Sequence, residues 1–98
     1  MKMQTALDIA ADHPAFSGHF PAFPVLPGAI LLDEMLRAIA LARGIDFKNW
    51  RLSSAKFLDA VRPRDSLLLE HDYASPGLLR FTIHAGKRKV ASGTLHEP

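Results

Sequence analysis

From Gly28 to Arg43 the chain runs sixteen residues with no proline and no internal glycine, between Pro27 on one side and Gly44 on the other. Pro27 stands where a first-turn proline belongs and Gly44 supplies the stop, so the stretch reads as one helix of about four turns, roughly 24 Å long. Counted at 100° per residue, Ala29, Ile30, Leu31, Leu32, Met35, Leu36, Ala38, Ile39, Leu41 and Ala42 cover most of its circumference. A helix apolar nearly all round is a buried one. Its polar residues Asp33, Glu34 and Arg37 fall within an arc of about 100°, so only that stripe is free to meet solvent, a cavity or another subunit.

No second convincing helix exists. Residues 5–11 alternate loosely and read as a first strand, broken by Asp12-His13-Pro14. After the helix, residues 50–61, 66–73, 78–85 and 89–95 read as strands, separated by Arg62-Pro63-Arg64-Asp65, Ser75-Pro76-Gly77 and Gly86-Lys87-Arg88. The clearest alternation puts Leu79, Phe81, Ile83 and Ala85 on one face and Arg80, Thr82 and His84 on the other. With no helix between the later strands to make parallel crossovers, the expected fold is α+β: one antiparallel sheet with a single helix, in one domain over residues 1–98.

Composition excludes several functions. The chain has 98 residues, 48% of them hydrophobic and 22% charged, which suits a globular domain with a modest core helped by oligomerisation. With no cysteine, disulfides, thiolate nucleophiles and zinc-thiolate sites are excluded. The start of the chain lacks the apolar stretch of a signal peptide, and no apolar run reaches membrane-spanning length, so a cytoplasmic protein that does not bind membranes is expected. Residues 1–49 carry four Lys/Arg against five Asp/Glu, residues 50–98 eight against five. That excess is too small and scattered for a nucleic-acid footprint, though single basic residues suit an acidic partner or a phosphate. The histidines His13, His71, His84 and His96 form no metal-ligand pattern with carboxylates, and no metal is expected.

From His13 to Gly28 the chain holds four prolines, Pro14, Pro21, Pro24 and Pro27, and two glycines, Gly18 and Gly28, which together favour one shaped loop. Such a loop is a natural place for a site, and Asp33 stands one and a half turns into the helix that follows it. For Asp33 alone, pairing with Arg37 one turn on is an ordinary structural role. For His13, capping or hydrogen bonding within the loop is the plain reading.

The segment Phe16-Ser17-Gly18-His19-Phe20-Pro21-Ala22-Phe23-Pro24-Val25-Leu26-Pro27-Gly28-Ala29-Ile30-Leu31-Leu32-Asp33 resembles the active-site segment of the β-hydroxyacyl-acyl-carrier-protein dehydratases of fatty-acid synthesis, with a Gly-His-Phe-Pro loop and a carboxylate 14 positions after the histidine. Residues 56–65 are similar to that family's strand entering a Pro-containing turn, and residues 90–95 to its closing strand. The resemblance implies a hot-dog fold, a long helix wrapped by an antiparallel sheet. It implies that His19 takes the α-proton, Asp33 protonates the departing hydroxyl, and Gly28 offers its N–H to the thioester carbonyl. Phe20, Val25, Pro27 and Arg37 are expected around the substrate, with the Val25 carbonyl orienting the imidazole. The acyl chain would arrive on the phosphopantetheine of acyl carrier protein or on CoA, with no further cofactor, and a homodimer would share two sites. Arg37 stands where those dehydratases usually carry a glutamine, Ala22 replaces a loop glycine, and the N-terminal region is short, as in a specialised relative.

The chemistry suits these groups. An imidazole serves as a base near neutrality with little tuning. A carboxylic acid stays protonated at pH 7 only where apolar surroundings such as Leu31, Leu32 and Leu36 favour its neutral form, and an Arg37 partner would oppose that. The unpaired N–H groups at a helix start suit an oxygen that becomes negative. A hot-dog thioesterase and a non-catalytic acyl-binding subunit of a dehydratase heterodimer stay open as alternatives. Phe16, Phe20, Phe23 and Trp50 are the candidates to close an acyl tunnel, with core packing the ordinary role of each.

Overall fold

The computed structural model describes residues 1–17 and 25–98. Its elements run β1 (Met3–Leu7), α1 (Pro14–Ser17), α2 (Gly28–Arg43), β2 (Arg51–Phe57), β3 (Leu67–Ser75), β4 (Leu78–Ala85) and β5 (Arg88–His96). The five strands form one antiparallel sheet in the order β1-β3-β4-β5-β2, which leaves β1 and β2 as its edges. The α+β architecture expected from the sequence is present.

Helix α2 has the expected bounds. Pro27 is its N-cap rather than its first helical residue, and Gly44 closes it at φ 66°, where its N–H donates to the Ala40 carbonyl. A left-handed C-terminal residue favours glycine because a Cβ would crowd the backbone there. Leu31, Met35 and Ile39 project from α2 into a core shared with Leu69, Leu79, Phe81, Ile83, Val90 and Leu95 from the sheet. In β4 the whole predicted apolar face, Leu79 to Ala85, is buried.

Three expectations need correction. The first strand ends at Leu7, because Leu7 pairs with Leu67, the first residue of β3, and the chain beyond it meets no strand. The second strand stops at Phe57, and residues 58–61 run on without a strand ladder. Helix α2 is not covered all round within one chain: Ala29, Asp33, Arg37, Leu41 and Ala42 are exposed, Leu41 by 87%. The short helix α1, which the sequence does not announce, is capped by His13, whose Nδ1 accepts from the Ala15 N–H at 3.0 Å.

Candidate active site

The start of α2 carries no side-chain cap. The N–H groups of Ile30 and Leu31 donate to the Pro27 carbonyl at 3.1 and 3.2 Å, while those of Gly28 and Ala29, in the first turn that no intrahelical acceptor serves, have no acceptor among the described residues. They open beside an apolar cavity of about 600 Å³ lined by Val25, Leu26, Gly28, Ala29, Leu31 and residues 57–61. That volume lies in the range of small-molecule sites. The Phe57 ring lies over Gly28 so closely that a Cβ at residue 28 would come within 2.6 Å of Phe57 Cζ. A side chain there would have to displace the Phe57 ring, which is itself half exposed, and no unusual φ is involved.

The far wall is pinned by charge. Arg88 holds Asp59 at 2.7 Å and Asp65 at 3.0 Å. The guanidinium hydrogen bond, followed by the Ala60 N–H, lowers the Asp59 pKa below the usual carboxylate range.

Of the residues expected in the site, Val25 and Gly28 come together at this cavity, and Pro27 lies between them in sequence. Asp33 and Arg37 do not line it. They sit on the exposed ridge of α2, joined by a 3.0 Å ion pair between side chains 54% and 71% exposed. The Asp33–Arg37 pairing anticipated from their i,i+4 spacing is therefore present, and at that exposure it adds little stability. His19 and Phe20, with the rest of residues 18–24, lie outside the described residues. Of the tunnel candidates, Phe16 is a core residue and Trp50 packs edge-on against Phe47 at 5.0 Å. Among the described residues the aromatic ring that reaches the cavity is Phe57, which in sequence falls inside the strand expected over residues 50–61 and carries no site signal of its own.

A second feature escaped the sequence. His71 is buried to 1% exposure, and its Nδ1 accepts from Arg43 Nε at 2.8 Å, while Arg43 Nη2 donates to the carbonyls of His71 and Met1. The imidazole Nε2 has no partner, and burial, reinforced by the Arg43 charge, lowers the His71 pKa. His71 is a tether between the end of α2 and β3, away from the cavity. Among the described residues no His, Asp or Glu cluster could hold a metal ion, and no helix is long and apolar enough to cross a membrane.

A helix laid on a five-stranded antiparallel sheet, with its N-terminus at an apolar pocket, defines a protein of the hot-dog fold. Residues 1–94 match the model of the ApeI-like family, described as ApeI dehydratase, and the chain belongs to that family. It is 33% identical over 76 residues to a 3-hydroxyacyl-[acyl-carrier-protein] dehydratase FabZ of Chlamydia pneumoniae, covering 68% of this chain and 50% of that protein. It is 32% identical over 99 residues to the FabZ of Enterococcus faecalis, covering 90% and 70%. The chain thus spans as little as half the length of the curated relatives it matches. Among solved structures it resembles the dehydratase heterocomplex ApeI:P of Xenorhabdus doucetiae, with a TM-score of 0.73 and 25% identity over 97% of this chain and 85% of that one. The fluoroacetyl-CoA thioesterase FlK, at 14% identity and a TM-score of 0.67 over 97% and 83%, shares the fold.

Proposed function

We propose that this chain dehydrates a 3-hydroxyacyl thioester, carried on acyl carrier protein or CoA, to the trans-2-enoyl thioester. His19 removes the α-proton, electron density moves onto the thioester oxygen held by the Gly28 N–H, the Cα–Cβ double bond forms, and the β-hydroxyl leaves as water with a proton from Asp33. The observation that carries the reading is the uncapped start of α2 opening onto an apolar cavity, in a chain that belongs to a dehydratase family. Preorganised N–H donors aimed at developing negative charge are among the strongest contributions to such a reaction. Val25, Pro27 and Phe20 flank the acyl thioester, and Arg37 sits beside the acid.

The site is completed by a second copy of the chain. Within one chain Asp33 lies on the exposed ridge of α2 and away from the Gly28 cavity, which supports a dimer in which each copy supplies part of the other's site. One observation favours a second reading, a non-catalytic subunit: the 3.0 Å pair with Arg37 engages the carboxylate that should act as acid.

Purified chain incubated with 3-hydroxybutyryl-CoA and with a longer 3-hydroxyacyl thioester should form the enoyl product, followed by absorbance. His19→Ala and Asp33→Ala should each reduce turnover by about 100-fold or more, the scale of a general acid or base. Absence of product with every chain length supports the non-catalytic reading, and release of free thiol supports a thioesterase.

A further inference from the structure

The cavity wall formed by residues 58–61 follows β2 but is held by β5. Both the Leu58 and Asp59 N–H groups donate to the Val90 carbonyl, at 2.9 and 3.4 Å. The β4–β5 register shifts between Ile83 and His84, which leaves Val90 as the extra residue of a bulge. Bulges re-aim the groups around them. Two residues earlier, Arg88 Nη1 donates to Asp59 Oδ2 at 2.7 Å and to the Ala60 carbonyl at 3.3 Å, and Nη2 donates to Asp65 Oδ2 at 3.0 Å. Asp65 Oδ2 also accepts from the Arg62 N–H at 2.9 Å, while the Asp65 N–H donates to the Arg62 carbonyl at 3.2 Å. One planar guanidinium therefore joins both ends of the loop 59–65. Its fork suits this and an ammonium does not.

Inside that loop lies Val61, buried, whose carbonyl accepts the Leu26 N–H at 2.8 Å. Leu26 directly precedes the N-cap of α2 and is itself buried. A continuous route thus runs from Arg88 through Asp59 and Asp65 to Val61, from Val61 to Leu26, and from Leu26 to the helix start at Gly28.

We propose that Arg88 is a positioning residue: by clamping residues 59–65 it fixes the Val61 carbonyl, and through it the approach of residues 25–27 that sets the Gly28 N–H against the cavity. Its effect on turnover rests on the dehydratase reading, whereas its effect on the Leu26 hydrogen bond does not. The ion pairs are partly exposed, so they contribute little to global stability. The helix start is different, because small displacements of reacting groups cost large factors in rate.

The test uses the full chain as wild type, Arg88→Ala, Arg88→Lys and, as a control on a neighbouring cation, Lys87→Ala. Hydrogen exchange is followed at the Leu26 amide and, for reference, at the core amides of Leu79 and Phe81. The kinetic constants kcat and KM are measured with 3-hydroxybutyryl-CoA. Arg88→Ala should lower kcat by about tenfold with KM within about twofold. It should speed Leu26 exchange by about tenfold while the core amides keep their protection. Arg88→Lys should fall with Arg88→Ala, and Lys87→Ala with wild type. Unchanged Leu26 exchange in Arg88→Ala overturns the inference whatever happens to kcat, and so does an unchanged kcat in an active protein. If wild type forms no enoyl product, the dehydratase reading falls and Leu26 exchange alone decides the positioning role. Should Arg88→Ala fail to fold, Asp65→Asn, which breaks one arm of the clamp, is judged by the same two measurements.

Discussion

A left-handed backbone forces the Cβ of an ordinary residue towards its neighbouring carbonyl, and Arg64 adopts that conformation at φ 73° in the turn before β3. Its side chain is exposed and makes no hydrogen bond or ion pair that would offset the cost. Arg64→Gly should therefore stabilise the fold by up to about 1 kcal/mol, read as a higher urea midpoint at an unchanged slope. A lower midpoint would mean that the turn is not strained. His71 carries a different consequence. Burial and Arg43 hold its folded-state pKa below the unfolded value, so the unfolded chain takes up a proton that the folded chain refuses. Stability contributed by the neutral imidazole is then lost as pH falls below about 6.5, the unfolded pKa, and the loss levels off once pH passes the folded pKa. Wild type should lose stability between pH 7 and 5 in denaturant titrations. His71→Gln, which keeps an acceptor for Arg43 without the titration, should stay nearly flat over that interval. A flat wild-type profile would remove this account of His71.

Local chemistry decided which elements were legible in the sequence. Helix α2 is bounded by Pro27 and Gly44, whose backbone preferences act at the residues concerned, and its limits could be read directly. Strand β4 was equally clear, because its alternation reflects burial on one face by a core that surrounds it. The ends of β1 and β2 were not, because a strand ends where its partner does. β1 stops against the first residue of β3, and β2 gives way where Val90 and Arg88 take hold of the chain. Gly93 shows the same dependence on distant residues: a Cβ there would overlap the Ser54 carbonyl and the Phe81 ring, a requirement set by β2 and β4 and invisible within β5. In the site, Gly28 and Val25 could be read from a short motif. Phe57 and the Arg88 clamp come together only through contacts between residues about thirty positions apart in the chain.

At the scale of the molecule, the apolar circumference of α2 and its exposure within one chain make a single statement. The sequence describes a helix meant to be covered on nearly all sides, yet one copy buries Leu31, Met35 and Ile39, covers Ile30, Leu32, Leu36 and Ala38 in part, and leaves one ridge exposed. Besides the exposed ridge of Ala29, Asp33, Arg37 and Leu41, the molecule presents β2, an edge of the sheet with no further strand partner among the described residues, which carries or adjoins exposed Leu52, Phe57 and Leu58. Unpaired strand edges and exposed apolar patches both invite association, and a second copy seated there would remove both at once. Wild type should therefore scatter light as a species of twice the monomer mass at micromolar concentration. Leu41→Lys combined with Leu52→Lys should shift it to the monomer, since charges at the centre of an interface are poorly tolerated. Because Asp33 lies on the ridge that the partner would cover, enoyl formation should fall in parallel with the dimer fraction as the variant is diluted. A wild-type monomer with full turnover would show instead that Asp33 and the Gly28 cavity act within one chain.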